Sequence, residues 1–595
     1  MRRLAEALAA SEETRARTRK VAALAEALAM VAREEPGGLA FAARFVTGSM
    51  LPAGDARTLG VGWSLLATAV CDVTGWSAAA LGTRARATGD VGTATGEAVA
   101  EALEIGRMPG TGLRLGDVEA AARALADTGV REEKLATLVD AFAATTPLEA
   151  RYLARAILGE MRVGAKEGIV LDAIAKAFGR APEEVRRAAG IVSDVGELAM
   201  LAAEDRLGEA VITPGKPLGF MLATPLETAK GVDLSVPHAV EDKIDGVRAQ
   251  VHVTGEGAWL FARGKGPVTR TFPDVALPLA TAARAGALPP AILDGEIVVV
   301  AEDGRPRPFS ALQARLGRTD PDPDLVRAHP VVLLVYDLLW EAGVSLLDLP
   351  FSERRARLEA WASAAPAPVR VHASRRLDGA DAVDATFEDA RTRGWEGLVL
   401  KRLDAAYAAG VRGFAWLKVK KAFATLDVVV VAAERGHGRR SAVLSDYTFA
   451  VKDEDGDPLP VGKAYSGLTD AEIEAMTARL RGLATAEERH GRIPVRPEVV
   501  LEVAFDGVQR SDRHPSGYAL RFPRIARIRD DKRPEDASTV ADVRALYEAQ
   551  LATGHREDET AADRKARAPE KRGGRRSGRK PDVRAKSKQL KLFDD

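Results

Sequence analysis

Apolar residues recur at three- and four-residue spacing along the first third of the chain, as in "TRKVAALAEALAMVAREE" and "VEAAARALADTGVREEKLATLVDAFAATT". This spacing places the apolar side chains on one face of an α-helix. Residues 1–209 are therefore predicted to form an all-α domain. Within it, residues 147–178 are expected to form two helices joined by a turn at Arg162–Gly168. The backbone N–H groups of that turn could bind a phosphate, although a plain turn between two core helices fits the same pattern.

The pattern changes after a segment rich in proline and glycine, "ITPGKPLGFMLATP" at 212–225. Short apolar runs such as "AILDGEIVVV" and "PVVLLVYDLLW" then predict β-strands with a few helices between them, through residue 424. A second block of short strands occupies 425–550, and a block of this kind is typical of a small β-barrel such as an OB-fold. The fold class is therefore predicted to be multidomain α+β, with a helical domain (1–209), an α+β domain (210–424) and a barrel (425–550).

The last segment, 551–595, differs from the rest in composition. It holds 14 Lys/Arg and 8 Asp/Glu, whereas the whole chain of 595 residues carries 85 of each and has zero net charge. A polar segment with few aromatic residues cannot bury enough apolar surface to fold, so a disordered basic tail is predicted. Any polyanion site in the remaining chain must then be a local basic surface on a mildly acidic protein.

Composition also excludes several classes of protein. Cys71 is the only cysteine, so the chain has no intrachain disulfide and no cysteine-rich zinc site. No run of about 18 apolar residues is present, which argues against a membrane span. The N-terminus lacks a continuous apolar segment of the kind found in signal peptides. We expect a cytoplasmic protein without membrane association.

Lys243 stands out in the segment "VEDKIDGVRAQVHV" at 240–253, where apolar and polar residues alternate as they do in a half-buried strand. It lies at the end of the predicted strand, directly before a turn at Asp245–Gly246. A lysine in this place is either a salt-bridged surface residue or a nucleophile. Taken alone, the string KxDG is too short to decide between the two.

Further motifs place polar residues on one face of otherwise apolar strands. Asp294 and Glu296 share a face in "LDGEIV", and Lys418 and Lys420 share a face in "WLKVKK". Lysines beside separated carboxylates suit a nucleoside triphosphate and its metal, because the lysines neutralise the α-phosphate and the acids hold Mg²⁺. A solvated strand face would explain any one of these motifs. Their number and order argue against chance, and they run as follows: "LFARGKG", "ILDGEIV", "VYDLLW", "WEGLVLKR", "WLKVKK" and "LRFPRIARIRDDKRPED".

With "EDKIDG" at their head, these motifs resemble the signature of the covalent nucleotidyltransferases, and within them the ATP-dependent DNA ligases. Upstream, "EARYLARAILGEMRVGAKEGIVLDAIA" and "PGKPLGFMLA" are similar to the helical DNA-binding domain and linker of replicative-type ligases and their bacterial relatives. The resemblance covers residues 10–550 and implies a nucleotidyltransferase (ATP-grasp-like adenylation) domain in 210–424. Phe220 stands where many members have proline, and we expect only a local backbone difference there.

The resemblance implies a three-step reaction. Lys243 attacks the α-phosphate of ATP and expels pyrophosphate, which leaves a lysyl-AMP. AMP then passes to the 5′-phosphate of nicked double-stranded DNA, and the 3′-OH displaces AMP to seal the strand. An amine attacks only when it is unprotonated, and the cations of Lys418 and Lys420 would favour that form.

The resemblance also implies roles for the other matching positions. Glu241 would lie at the adenine edge and Tyr336 would stack on the base. Glu296 and Glu396 would position the ribose and Mg²⁺, although Mn²⁺ suits the same oxygen ligands. The residues implied to bind ATP are Glu241, Arg248, Arg263, Glu296, Tyr336, Lys418, Lys420, Arg521 and Lys532.

Two groups of basic residues are implied to act on phosphates. Arg248 and Arg263 would hold the phosphate side of ATP and later the 5′-phosphate of the nick. Arg521, Arg524 and Lys532, on a mobile OB-fold, would close over the site and orient the pyrophosphate, as a lid does.

The chain ends in "KSKQLKLFDD", in which Gln589, Leu590, Leu592 and Phe593 form an apolar cluster on a tail that otherwise lacks large apolar residues. Exposed apolar residues at a disordered terminus add nothing to the fold. The cluster resembles the peptides that dock on the bacterial sliding clamp, so we expect the clamp to be a partner of an otherwise monomeric, nucleoid-associated enzyme. A fortuitous end to a DNA-binding tail is the alternative.

Four other classes of protein share some of these features, and the sequence distinguishes each of them from an ATP-dependent DNA ligase. Three of them are enzymes and one is not. RNA ligases and RNA-capping guanylyltransferases share KxDG and an OB-fold but lack a helical domain before the lysine. NAD-dependent DNA ligases carry a four-cysteine zinc module, which one cysteine rules out. A DNA-binding adaptor with a decayed nucleotide site would not retain all of Lys243, Glu296, Glu396, Lys418 and Lys420.

Overall fold

The structure is a computed structural model. It describes residues 1–55, 57–226, 235–264, 266–300, 307, 309–377, 381–393, 395–419, 424–436, 440, 442–489 and 491–552. Lys420 and the predicted clamp-binding residues Gln589, Leu590, Leu592 and Phe593 lie outside the described residues, as does nearly all of the predicted tail.

The N-terminal part of the chain is helical, as the apolar spacing predicted. Local sequence fixes several of the helix ends: Thr146 and Glu149 form a capping box, and Gly75 and Gly89 end helices in the left-handed conformation that glycine adopts without strain. The apolar faces meet in one core that draws only on residues 1–210. The helices are α1 (Arg2–Glu13), α2 (Arg17–Glu34), α3 (Leu39–Val46), α4 (Trp63–Thr74), α5 (Ala78–Thr88), α6 (Val91–Glu104), α7 (Leu115–Asp127), α8 (Arg131–Ala143), α9 (Pro147–Ile157), α10 (Glu167–Phe178), α11 (Pro182–Ile191) and α12 (Val195–Ala203).

The two helices expected in 147–178 are present as α9 and α10, but the predicted turn is displaced. The connection covers residues 158–166, and Gly168 lies in the first turn of α10. Arg162 within the connection has a φ of 56°, in the left-handed region that disfavours a side chain. The apolar spacing continues past the end of α9, with Leu158 and Met161, so the pattern did not mark the end of the helix at Ile157.

The middle of the chain forms two sheets. One has the strand order β1-β11-β10-β2-β9, and the other has the order β4-β3-β5-β6-β7 with β8 paired to β6. The elements are β1 (Leu222–Leu226), β2 (His238–Lys243), β3 (Val247–Thr254), β4 (Gly257–Ala262), α13 (Pro273–Arg284), β5 (Ala291–Val299), α14 (Phe309–Gln313), α15 (Pro323–Ala328), β6 (Val331–Glu341), β7 (Val344–Ser345), α16 (Phe351–Ala362), β8 (Val369–Val371), β9 (Ser374–Arg376), α17 (Asp381–Thr392), β10 (Gly397–Arg402) and β11 (Arg412–Val419).

The turn after Lys243 carries the chain from one sheet to the other, because β2 and β3 belong to different sheets. Gly246 lies in this turn, and a Cβ atom built on it would be 2.5 Å from the carbonyl oxygen of Ile297 on β5. The glycine of KxDG therefore allows the turn to pass directly against the second sheet. Lys243 consequently stands at the junction of the two sheets.

The segment predicted as a linker is held firmly against β3. The buried amide of Gln250 accepts from Leu218 N at 2.8 Å and donates to Leu218 O at 3.0 Å. The ring of His252 accepts a hydrogen bond from Gly215 N at 3.0 Å. These side chains replace the ladder partners that an irregular segment lacks, so the chain enters the middle region on a fixed path.

The C-terminal region has a sheet of order β14-β13-β12-β16-β19, with β15 paired to β12 and a separate hairpin of β17 and β18. Its core draws on residues 424–547. The elements are β12 (Ala424–Arg435), β13 (Leu444–Lys452), β14 (Pro458–Ala464), α18 (Asp470–Gly482), β15 (Arg492–Pro494), β16 (Val500–Phe505), β17 (Gly507–Arg510), β18 (Tyr518–Arg521), β19 (Arg524–Ile528) and α19 (Val540–Ala552).

Within the described ranges, no single helix has the length and apolar character needed to cross a membrane. One pair, α4 with α5, meets that criterion only when both are taken together, and the two are bent by 114° at their junction.

Candidate active site

Strand pairing places the candidate nucleotide-binding residues on one face of the first sheet. In the antiparallel pair of β2 with β10, Lys243 lies opposite Gly397 and Glu241 opposite Val399. In the pair of β10 with β11, Val399 lies opposite Lys418. Since alternate residues point to the same side, Glu241, Lys243 and Lys418 share a face. The intervening apolar residues of the three strands pack with α17 on the other side.

The immediate partner of Lys243 is an acid. Its Nζ donates to the carboxylate of Glu396, and the backbone N–H of Glu396 donates to Lys243 O at 3.0 Å. Both side chains are about four-fifths buried, at 20% and 18% exposed. The sequence led us to expect cations beside this lysine. Lys418 is two strands away on the same face, and Lys420 lies outside the described residues.

Glu241 forms a buried ion pair with Lys401, with 2.7 Å between Lys401 Nζ and Glu241 Oε2. The ammonium of Lys401 also lies over the rings of Tyr336 (4.2 Å), Trp416 (4.3 Å) and Phe351 (4.9 Å). Burial lowers the pKa of Lys401, and the carboxylate of Glu241 opposes that effect. The aromatic rings and the carboxylate together stabilise a cation that has little contact with water.

A second buried group faces Glu241 from α16. Glu241 Oε1 and Arg355 Nη1 lie 3.7 Å apart, and neither atom has a hydrogen-bond partner among the described residues. An unsatisfied buried acceptor beside an unsatisfied buried donor suits a ligand edge that offers a donor and an acceptor side by side. The 6-amino group of adenine and the adjoining ring nitrogen have this pattern.

Arg248 and Asp294 form a bidentate ion pair, with distances of 3.1 Å from Nε to Oδ1 and 2.7 Å from Nη2 to Oδ2. Asp294 is fully buried and also accepts from Tyr336 Oη at 3.1 Å and from Tyr407 Oη at 2.7 Å. Asp294 shares a strand face with Glu296, and this shared face suggested two acids for the metal. In the structure, however, the carboxylate of Asp294 pairs with Arg248. The ring of Tyr336, expected to stack on the base, is itself buried in this arrangement.

Phe220 has a larger role than the expected backbone difference. Its ring lies 5.0 Å from the guanidinium of Arg248, and the backbone carbonyl of the next residue, Met221, accepts from Arg248 Nη1 at 2.7 Å. The linker therefore contributes directly to the environment of a candidate phosphate-binding arginine.

Glu296 lies opposite Arg248 on the neighbouring strand. Burial raises the pKa of its carboxyl to about 8, and the nearby charges of Lys243 and Arg248 act in the opposite direction. Among the described residues, no group of three or more His, Cys, Asp or Glu is placed to hold a metal. Mg²⁺ is commonly held by one or two carboxylates together with substrate phosphates, and Glu296 and Glu396 fit that donor set.

The other basic residues predicted to act on phosphates do not all lie close to Lys243. Arg263 is exposed just beyond the end of β4. Arg521 donates to the carboxylate of Asp245, in the turn that follows Lys243, at 3.1 Å. Arg524 lies 3.7 Å from Asp506, and Lys532 pairs at 2.6 Å with Asp427 on β12. Of the three residues expected to close over ATP, only Arg521 contacts the turn of KxDG, and Lys532 pairs within its own domain.

Some residues of the site carried no signal in the sequence. Arg355 lies on an amphipathic helix full of charges, and Tyr407 lies in an irregular segment, "DAAYAAG". Lys401 belongs to a recognised motif, but its pairing with Glu241 depends on the register of β2 and β10. Lys401 and Glu241 could have been recognised as partners only if the register of β2 and β10 had been predicted.

Three regions of the chain match known protein families. They are described as DNA ligase N terminus (1–175), ATP dependent DNA ligase domain (220–420) and ATP dependent DNA ligase C terminal region (440–532).

Curated relatives extend over most of the chain. A protein named Probable DNA ligase from Koribacter versatilis is 39% identical over 580 residues, which cover 93% of this chain and 97% of the relative. DNA ligase 1 of Korarchaeum cryptofilum is 36% identical over 561 residues, covering 93% and 99%. The solved structure described as Pmar-Lig_PreS3 has a TM-score of 0.57 at 16% identity and covers 88% of this chain and 99% of its own, a likeness of fold alone.

Proposed function

The chain belongs to the ATP-dependent DNA ligases, and from this premise we propose that Lys243 is the residue that carries AMP during the sealing of nicked DNA. The observation that carries the proposal is the position of Lys243 at the junction of the two sheets, with its amine on the carboxylate of Glu396 and on the same face as Glu241 and Lys418.

The contact with Glu396 suggests how the amine is prepared. Lys243 must lose a proton before its nitrogen attacks the α-phosphate, and the Glu396 carboxylate is in contact to accept it. The new N–P bond forms as the bond to the pyrophosphate oxygen breaks, and pyrophosphate leaves with that electron pair. An oxygen of the DNA 5′-phosphate then displaces the lysine, and the 3′-OH displaces AMP.

Mg²⁺, when bound, neutralises charge on the phosphates; it would be held by Glu296 and, once the proton from Lys243 has passed to solvent, by the Glu396 carboxylate. Lys418 and Lys420 are proposed to contact the α-phosphate. Arg248 and Arg263 are proposed to hold phosphate groups of ATP and then of the nick.

Base recognition is proposed for Glu241 and Tyr336. Support for Glu241 comes from its buried oxygen without a partner among the described residues, 3.7 Å from Arg355 Nη1. An adenine edge would satisfy both atoms, whereas guanine would place its 6-oxo group against the carboxylate.

Each domain is also proposed to have its own role. The helical domain in 1–209 is proposed to grip the duplex, 210–424 to form the adenylation domain, and 425–550 to be an OB-fold that carries Arg521, Arg524 and Lys532 toward the site. The tail in 551–595 is proposed to be disordered and to present Gln589, Leu590, Leu592 and Phe593 to the sliding clamp.

The test compares three labelled substrates in parallel: ATP and GTP labelled at the α-phosphate, and NAD labelled in its adenylate. Label from ATP should remain on the denatured protein and should be released by nicked DNA, while label from GTP and NAD should not remain. Retention of label from GTP would favour a capping-type enzyme instead. Lys243→Ala should retain no label.

A further inference from the structure

The segment that joins β10 to β11 (403–411) lies between the helical domain and the Arg248–Asp294 pair. On its outer side, the backbone of this segment packs directly against the backbone of α11 and of the linker. Gly219 N donates to Gly190 O on α11 at 2.9 Å. A Cβ atom on Gly190 would be 2.4 Å from Ala409 O, and one on Gly219 would be 2.6 Å from Gly410 N. No side chain fits between these segments, so α11, the linker and the 403–411 segment are in direct backbone contact.

On its inner side, the same segment carries Tyr407. The hydroxyl of this buried residue accepts from Met221 N at 3.1 Å and donates to Asp294 Oδ2 at 2.7 Å. Arg248 Nη2 lies 3.5 Å from the same oxygen. The backbone N–H of Tyr407 donates to Leu347 O at 2.8 Å, which fixes the residue from the other side. One hydroxyl therefore joins the linker to the carboxylate that orients Arg248.

The linker reaches Arg248 by a second route. Gly219, which bonds to α11, is followed directly by Phe220, whose ring lies on the guanidinium, and by Met221, whose carbonyl accepts from it at 2.7 Å. Two of the groups that orient Arg248 thus follow the residue that contacts the helical domain. Packing of one domain against another would not by itself place the contacts to Arg248 directly after the residue that contacts α11.

We propose that Tyr407 is a positioning residue that makes the orientation of Arg248 depend on how the helical domain is seated on the 403–411 segment. The proposal rests on the proposed role of Arg248 at the phosphate of the nick. A helical domain seated on DNA would hold α11, Gly219 and Tyr407 in place, and Arg248 would then face the 5′-phosphate. An unseated helical domain would leave Arg248 poorly oriented, so AMP transfer would wait for correctly bound DNA.

The experiment measures single-turnover transfer of AMP from the pre-adenylated full-length enzyme to a nick, together with self-adenylation and affinity for the nick. Tyr407→Phe keeps the ring, which packs on Trp416 at 5.7 Å, and removes the hydroxyl. It should slow AMP transfer about tenfold while nick affinity stays within about twofold, because the lost hydrogen bonds involve a charged group.

Gly190→Ala should slow the same step, since its new methyl group displaces Ala409. The double variant Gly190→Ala, Tyr407→Phe should be no slower than the slower single variant, because both changes interrupt one path. Gly116→Ala is the matched control: it lies in α7 of the same domain, where an added Cβ would meet no heavy atom within 4 Å. That control should transfer AMP at the wild-type rate.

A second variant tests the seating without altering a packed joint. Arg187 on α11 pairs with Asp348 at 2.9 Å, and both side chains are largely exposed. Arg187→Glu would place like charges together and loosen the contact, so it should also slow AMP transfer, to a smaller degree. This variant decides the question if Gly190→Ala fails to fold.

Either of two results would overturn the proposal. One is slowing factors of Gly190→Ala and Tyr407→Phe that multiply in the double variant. The other is AMP transfer at the rate of the Gly116→Ala control by Tyr407→Phe, or by Arg187→Glu together with any Gly190→Ala protein that folds. Failure of the underlying function looks different. If Arg248→Lys transfers AMP at the wild-type rate, the phosphate role of Arg248 is wrong. If Arg248→Lys is slow while the other variants are normal, only the coupling is wrong.

Discussion

Lys401 illustrates how far individual residues could be predicted. The motif "EGLVLK" was evident in the sequence, yet a lysine on a strand gives no sign of being almost completely buried, or of having a carboxylate at 2.7 Å and three aromatic rings around it. The position of Lys243 at the end of a strand, by contrast, was predictable, because the alternation before it and the Asp-Gly turn after it are local properties. Arg355 and Tyr407 were not predictable, because their roles depend on contacts between distant segments.

At this scale we predict that Lys401→Met destabilises the protein by about 3–5 kcal/mol, because it leaves the Glu241 carboxylate buried without its partner. The free energy of unfolding, measured by urea denaturation, checks this.

The matched control for that change is the next residue on β10. Arg402→Met removes a pair with Asp404 in which both side chains are substantially exposed, so it should change the unfolding midpoint little. Equal destabilisation by the two variants would show that the Glu241–Lys401 pair is not buried in solution.

At the scale of elements, alternation and helical spacing predicted the types of element correctly in the helical first third, in the strand "LDGEIV" and in the described part of "WLKVKK", which ends at Val419. The limits of α9 and α10 were less accurate. The sequence also gave no sign that β2 and β3 lie in different sheets, since a strand–turn–strand pattern usually indicates a hairpin. The distinction depends on the pairing of β2 with β10, more than 150 residues away in the chain.

The role proposed for Lys532 would require the C-terminal strands that carry it to move toward Lys243. In this structure it pairs with Asp427, 2.6 Å away, within the C-terminal domain. If it orients the pyrophosphate leaving group, Lys532→Ala should slow self-adenylation at least tenfold while sealing of a nick that already carries 5′-AMP changes little. Comparing the two rates in one preparation checks this.

Lys463→Ala is the control for Lys532, because Lys463 also pairs with acids of the same sheet, Glu434 and Asp446. It should leave both rates unchanged. A Lys532→Ala enzyme that seals the pre-adenylated nick as poorly as it uses ATP would contradict a role confined to the first step.

At the scale of the whole molecule, the predicted helical first third and the strand-rich remainder are both present, with separate cores on residues 1–210 and 424–547. The arrangement of the regions was not predictable, because it depends on contacts such as Gly190 with Ala409 and Arg521 with Asp245. Such contacts involve single residues without any periodic pattern.

Removing residues 1–209 should leave self-adenylation largely intact, because Lys243 and its partners lie downstream. Sealing should fall sharply, since a duplex needs a surface that contacts several phosphates. Sealing by the full-length chain should also weaken steeply with added salt as counterions compete. A truncated protein that seals nicks as well as the full chain would refute the DNA-binding role of the helical domain.

The tail prediction concerns residues outside the described structure. A peptide of residues 582–595 should bind the bacterial sliding clamp with a Kd on the order of micromolar, as short segments that fold on binding often do. Leu592→Ala with Phe593→Ala should abolish that binding, and the full-length double variant should keep its sealing activity on naked nicked DNA. Titration by calorimetry checks the first point, and absence of binding by the unmodified peptide would leave the tail as an electrostatic arm.

The proposed mechanism depends on one lysine, Lys243, which lies at the junction of the two sheets and is proposed to carry AMP. The most direct measurement is mass spectrometry of the protein after incubation with ATP and a divalent cation, followed by proteolysis that preserves the phosphoramidate. We predict an AMP adduct on the peptide that contains Lys243, and none in Lys243→Arg, because a guanidinium cannot act as the amine nucleophile. An adduct on another lysine, or an adduct that persists in Lys243→Arg, would contradict the account.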